Sequence, residues 1–146
     1  VTDAVENILF YLHTKLFYMS RELISSGTVW EKKYGYSRAV KVGNLVFVAG
    51  TTAVDESGEV VSLDDVYLQA AFIYKKIEKA LLQAGATMEN VVRIRTFITD
   101  MGRYPEVLKA QGEVFENIRP AATLVEVTAL IDSRLLVEIE ADAVID

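Results

Sequence analysis

The sequence predicts an α+β domain, a mixed or antiparallel sheet with two helices on one face. Three observations lead there. Apolar residues alternate in steps of two around 38–49, 91–99 and 135–145, as they do on half-buried strands. Between these stretches, two runs repeat every three to four residues, the period of an amphipathic helix. The resulting order is strand, strand, helix, strand, helix, strand, strand, which packs naturally as a sheet with its helices segregated to one side. The 146 residues are enough for one domain, and no linker or internal repeat divides them.

Residues 1–24 are expected to form an N-terminal helical extension, and residues 25–146 the domain. Val5, Leu9, Leu12, Leu16, Met19 and Leu23 follow a 4-3-4-3-4 spacing that predicts one helical stripe. Thr2 or Asp3 is placed to cap its start, and Gly27 follows its end. Glu6, Asn7, His13 and Lys15 argue against a membrane span. Two readings of this helix stay open, a helix packed on the domain and one that binds a partner or a second copy.

Arg38–Val42 and Leu45–Ala49 predict a hairpin around Gly43-Asn44, a pair that suits a two-residue turn. Ser62 to Asp65 has the S-x-x-D form of a capping box. The helix after it carries Val66, Ala70, Ile73, Ile77, Ala80 and Ala84 on one face and stops at Gly85. Val91–Thr99 reads as a strand with Val92, Ile94, Thr96 and Ile98 on one side, and Arg93, Arg95 and Phe97 on the other. Pro105 opens a second helix whose inner stripe is read as Val107, Leu108, Gln111, Val114 and Phe115. The last two strands are expected to pair as a hairpin through Asp132-Ser133-Arg134. Along the final strand Glu138, Glu140 and Asp142 share one face. Three carboxylates in a row must meet solvent, a basic partner or a subunit boundary.

Composition removes several chemistries. The chain contains no cysteine, which excludes disulfides, thiolate nucleophiles and cysteine-based metal or iron–sulfur sites and suits a reducing cytoplasm. Its one histidine, His13, lies in the extension, so the domain has no His-based triad or metal cluster. A net charge of −6 argues against general nucleic-acid binding. Carboxylate, tyrosine and arginine chemistry remains.

Two stretches carry a resemblance. Pro120-Ala121-Ala122-Thr123-Leu124-Val125-Glu126-Val127 and Val137-Glu138-Ile139-Glu140-Ala141 resemble the C-terminal signature of the Rid (RidA/YjgF-like) family, P-A-R-S-x-V-x-V followed by V-E-I-E-A. Tyr36 to Gly50 resembles the family's Y-S-x-A-V-x-V-G-N-x-x-F-x-S-G segment. The resemblance spans about Ser25 to Asp146 and implies a chorismate-mutase-like fold, a homotrimer and active-site clefts at its subunit boundaries. It also implies hydrolysis of reactive 2-enamines and 2-imines to keto acids and ammonia, on a small-molecule ligand, with no cofactor, no metal and no membrane. Glu138 then matches the glutamate implicated in water activation and Tyr36 the pocket tyrosine, while Arg38 stands where many members carry glutamine. Two departures change the pocket. Ala122 replaces the arginine that anchors the substrate carboxylate, and Leu108 stands near the pocket asparagine. Arg119 and Arg38 are the candidates to supply the missing positive charge. The alternative is a trimeric protein that binds a small metabolite without turnover; the endoribonuclease activity described for some members ranks third for so acidic a chain. Family domains begin near the equivalents of Arg21 and Glu22, so Met19 is the expected native start.

Overall fold

The computed structural model describes residues 20–146. Its elements are β1 (Arg21–Ile24), α1 (Val29–Tyr34), β2 (Ala39–Val42), β3 (Leu45–Thr52), α2 (Val66–Gln83), β4 (Val91–Ile98), α3 (Tyr104–Phe115), β5 (Ala121–Glu126) and β6 (Val137–Val144). The stripe from Val5 to Met19, its caps at Thr2 or Asp3, His13 and the expected start at Met19 lie outside the described residues.

One six-stranded sheet runs β1-β2-β3-β6-β4-β5. All neighbours are antiparallel except β4 and β5, which the crossover through α3 makes parallel. The alternation in β6 is clean, with Val137, Ile139, Ala141 and Ala143 buried and the residues between them half-buried. Val46 and Val48 of β3, with Ile94 and Ile98 of β4, continue that apolar face. Helix α2 lies on it through Val66, Ala70, Ile73, Ile77 and Ala80, the stripe its spacing predicts. Helix α3 packs beside α2, where the Phe115 ring meets Tyr74 edge-on at 5.4 Å.

Several expectations change. Arg21–Ile24 is a strand paired with β2, so the sheet begins before residue 25 and Leu23 belongs to no helix; β1 places Glu22 opposite Lys41 and buries Ile24 opposite Ala39. The terminal hairpin does not form. β4 lies between β5 and β6, because residues 127–136 form a connection long enough to carry the chain across it. The polar turn survives inside that connection, where Asp132 accepts from Arg134 N at 2.9 Å. Asp65 rather than Ser62 caps α2, accepting from Leu68 N at 2.8 Å. On α3 the buried positions are Val107, Ala110 and Phe115, while Leu108 is 42% exposed, one position off the inner stripe.

Candidate functional site

The helix-free face of the sheet carries the charge. Successive cross-strand partners place Phe47, Asp142 and Arg93 in one row and Glu140 and Arg95 in the next, with Glu138 between Thr52 and Phe97. Arg95 donates from Nη1 to Glu140 at 3.0 Å and from Nη2 to Asp142 at 3.1 Å, and Arg93 lies 3.9 Å from Asp142. Two of the three carboxylates predicted to line β6 are thus matched by arginines of the neighbouring strand. Glu138 has different company.

That company is built by an irregularity in β3. The register between β3 and β6 shifts between Val48 and Thr51, a bulge of the kind that re-aims side chains. Gly50 sits in it. A Cβ at this position would collide with the Glu138 carboxylate, so the absence of a side chain lets the carboxylate lie against the backbone. The Gly50 carbonyl accepts from Arg38 Nη2 at 2.8 Å. Arg38, just ahead of β2, and Glu138 of β6 therefore converge on one residue.

Both charges are partly withdrawn from water. Burial pushes the Glu138 carboxyl above its ordinary 4.5; Arg38 opposes this and Glu140 adds to it. Burial also pulls Arg38 down, against Tyr36, Glu31 and Glu138, though a guanidinium stays protonated. Arg38 Nε is buried without an acceptor. A half-buried carboxylate of raised basicity beside a cation with an unused donor can orient water and hold an oxyanion or carboxylate.

Helix α1, which sequence reasoning missed, positions Tyr36. Gly35 ends the helix at φ 71°, and Glu31 O accepts from both Gly35 N at 2.9 Å and Tyr36 N at 3.1 Å. The buried Glu31 carboxylate ties this turn back to β1, accepting from the Ser25 and Ser26 hydroxyls and from Ser26 N at 2.9 Å. Burial raises the Glu31 carboxyl, but the serine hydrogen bonds and Arg38 outweigh it and leave it below its ordinary value. Tyr36 is 42% exposed in a shallow groove that it shares with Glu31, Lys32 and Val40.

The other two candidates stand apart. Ala122 is exposed on the edge strand β5, opposite Ile94 and so on the helix side of the sheet, whereas Glu138 is on the open side. Arg119, at φ 54°, donates from Nε to Glu116 O at 3.0 Å and closes the end of α3. β5 and β2 are four strand steps apart, roughly 19 Å at ordinary spacing, so Arg119 and Arg38 serve different places. Lys76, which the sequence reads as a solvated charge like Lys75, Glu78 and Lys79, is instead half-buried and donates to Thr52 O at 2.8 Å and Val54 O at 2.6 Å. It follows Gln69 and Ile73 at helical spacing, and that signal places it toward the sheet. Among the described residues no group of acidic and histidine side chains is arranged to hold a metal ion, and no helix is long and apolar enough to cross a membrane.

Comparison with known proteins gives a consistent result. Residues 30–145 match the family described as endoribonuclease L-PSP. The 3-aminoacrylate deaminase RutC of Acinetobacter baylyi is 32% identical over 104 residues, covering 71% of this chain and 82% of that one. A solved member of the YjgF/YER057c/UK114 family from Mycobacterium tuberculosis is similar at 49% identity and a TM-score of 0.78, covering 86% of this chain and 100% of that one. A protein of the conserved Rid family from Yersinia pestis is similar at 28% identity and a TM-score of 0.77, with the same coverage of 86% and 100%.

Proposed function

Because this chain belongs to the endoribonuclease L-PSP (Rid/YjgF) family and has its chorismate-mutase-like α+β fold, we propose that it hydrolyses small reactive enamines or imines, with Glu138 activating water and Arg38 holding an anionic or carbonyl oxygen. The observation that carries this reading is the convergence of Arg38 and Glu138 on Gly50. The relative named as a 3-aminoacrylate deaminase supports the reaction class.

In this scheme an enamine takes a proton at carbon from solvent and becomes the iminium ion. Water then adds to the C=N carbon while Glu138 accepts one of its protons. The nitrogen of the carbinolamine is protonated and leaves as ammonia, and the hydroxyl proton departs as the carbonyl forms. A carboxyl raised toward neutrality is a better base than one at its ordinary value. Tyr36 lines the approach. Three copies joined over the open sheet faces would close the clefts, and the exposed Phe47 and Val125 supply apolar surface for such a contact. A reducing cytoplasm fits a chain without cysteine.

The test is ammonia and carbonyl release from 2-aminoacrylate generated in situ by a dehydratase, for wild type, Glu138→Ala and Arg38→Met. Turnover in wild type that both variants lose is the expected result. Turnover that survives Glu138→Ala overturns the assignment of the base. Ala122 favours a second reading, since the position of the family's anchoring arginine carries no charge: a trimer that binds a small metabolite. Saturable binding of a keto acid without turnover in wild type would select it.

A further inference from the structure

We propose that Lys76 is a positioning residue for the Arg38–Glu138 site, holding the outgoing end of β3 so that Glu138 keeps its seat against Gly50. Only its turnover readout rests on the hydrolase reading. Lys76 reaches from α2 under the sheet, and its Nζ donates to Thr52 O at 2.8 Å and to Val54 O at 2.6 Å. Thr52 is the cross-strand partner of Glu138. The ammonium thus grips β3 opposite the carboxylate, two residues beyond the bulge.

The grip has a physical purpose. Past Thr52 the ladder with β6 stops, and the chain enters a turn at Asp55–Gly58. Beyond Thr52 the backbone bonds Val61 N to Ala53 O and Asp55 N to Glu59 O, both 2.9 Å, tie the chain only to its own return arm, so bonds to the rest of the fold must come from elsewhere. Lys76 supplies two, and one helical turn later the exposed Lys79 contacts Glu56 at 2.8 Å. The charged groups facing Lys76 are Arg38 ahead of β2 and Asp55 after β3; the Phe72 ring lies 5.8 Å away. Burial and then Arg38 pull its pKa down to about 8, and Asp55 opposes them. The protonated amine makes charge-assisted bonds to the two carbonyls, and these weaken when the proton is lost.

The experiment compares wild type, Lys76→Arg and Lys76→Met in the full chain. Nitrogen-15 NMR would follow the Ala53 and Asp55 amides, which directly succeed the two accepting carbonyls, and carbon-13 NMR would follow the Glu138 carboxyl. In wild type both amides should titrate with a midpoint of about 8, and Lys76→Met should abolish that titration and move the Glu138 midpoint. With 2-aminoacrylate, kcat of Lys76→Met should fall about 10-fold with KM within about twofold, and Lys76→Arg should recover most of the loss. Ala53 and Asp55 amides whose resonances Lys76→Met leaves unchanged, or an unmoved Glu138 midpoint in that variant, overturn the proposal. So does a kcat in Lys76→Met equal to wild type. Absence of turnover in wild type defeats the hydrolase reading alone, and the NMR outcomes still decide the role of Lys76.

Discussion

Gly50 and Glu138 compete for one small volume, because the space in which a Cβ of residue 50 would lie is filled by the carboxylate of residue 138. Gly50→Ala should therefore displace Glu138 without disturbing the charge of either strand. We expect a stability loss of about 1–3 kcal/mol from overpacking. Enamine hydrolysis should fall by about 10- to 100-fold as the carboxylate leaves its position. Urea denaturation and steady-state kinetics measure the two effects. Full activity in Gly50→Ala would show that the contact has no catalytic consequence.

Glu138 should also leave a mark on the pH dependence of stability. Burial raises its pKa in the fold, so the fold disfavours the charged form. Its contribution is then fully favourable below the ordinary 4.5 and is lost as pH rises through the folded value. Glu138→Gln removes this titration. Relative to wild type, the variant should gain stability between about pH 4 and about pH 7.5 in urea denaturation. An equal gap at both pH values would contradict the assignment.

Gln69 has no exposed surface and joins α2 to the approach to β6. Its Nε2 donates to Arg134 O at 3.0 Å, and its Oε1 accepts from Leu136 N at 2.9 Å. Gln69→Leu would leave both backbone groups without partners, and the expected cost is about 2–4 kcal/mol. A loss below about 0.5 kcal/mol in chemical denaturation would mean that water reaches those groups.

Ala122 is exposed, so Ala122→Arg should fold normally. If residue 122 borders the ligand, a new charge-assisted pair should tighten binding of small keto acids by about 10- to 100-fold in calorimetric titration. Unchanged affinity would place the ligand away from β5.

The sequence was most informative where structure is local. The Gly43-Asn44 hairpin, the stripe of α2 and the alternation of β6 follow from residues a few positions apart. Strand partners chosen across long separations were not legible, and the expected hairpin of β5 and β6 failed for that reason, since no residue in either strand announces that β4 will stand between them. At the site, Tyr36, Arg38 and Glu138 stood out through a family pattern. The contacts that bind Arg38 and Glu138 together depend on a bulge whose sequence, Ala49-Gly50, is ordinary for a strand. The spacing of α3 admits both Val107 and Leu108 to its inner stripe, because the helix is apolar on more than one side, and only Val107 is buried.

β6 follows every other strand in the chain, yet it occupies the middle of the sheet. Before it arrives, β1-β2-β3 and β4-β5 have no ladder in common, and each half exposes a raw edge. The two halves can join into one sheet only through residues 137–144, which bridge them. The strand made last is therefore the one that closes the sheet's centre, and Glu138 is delivered by the same insertion that completes the sheet.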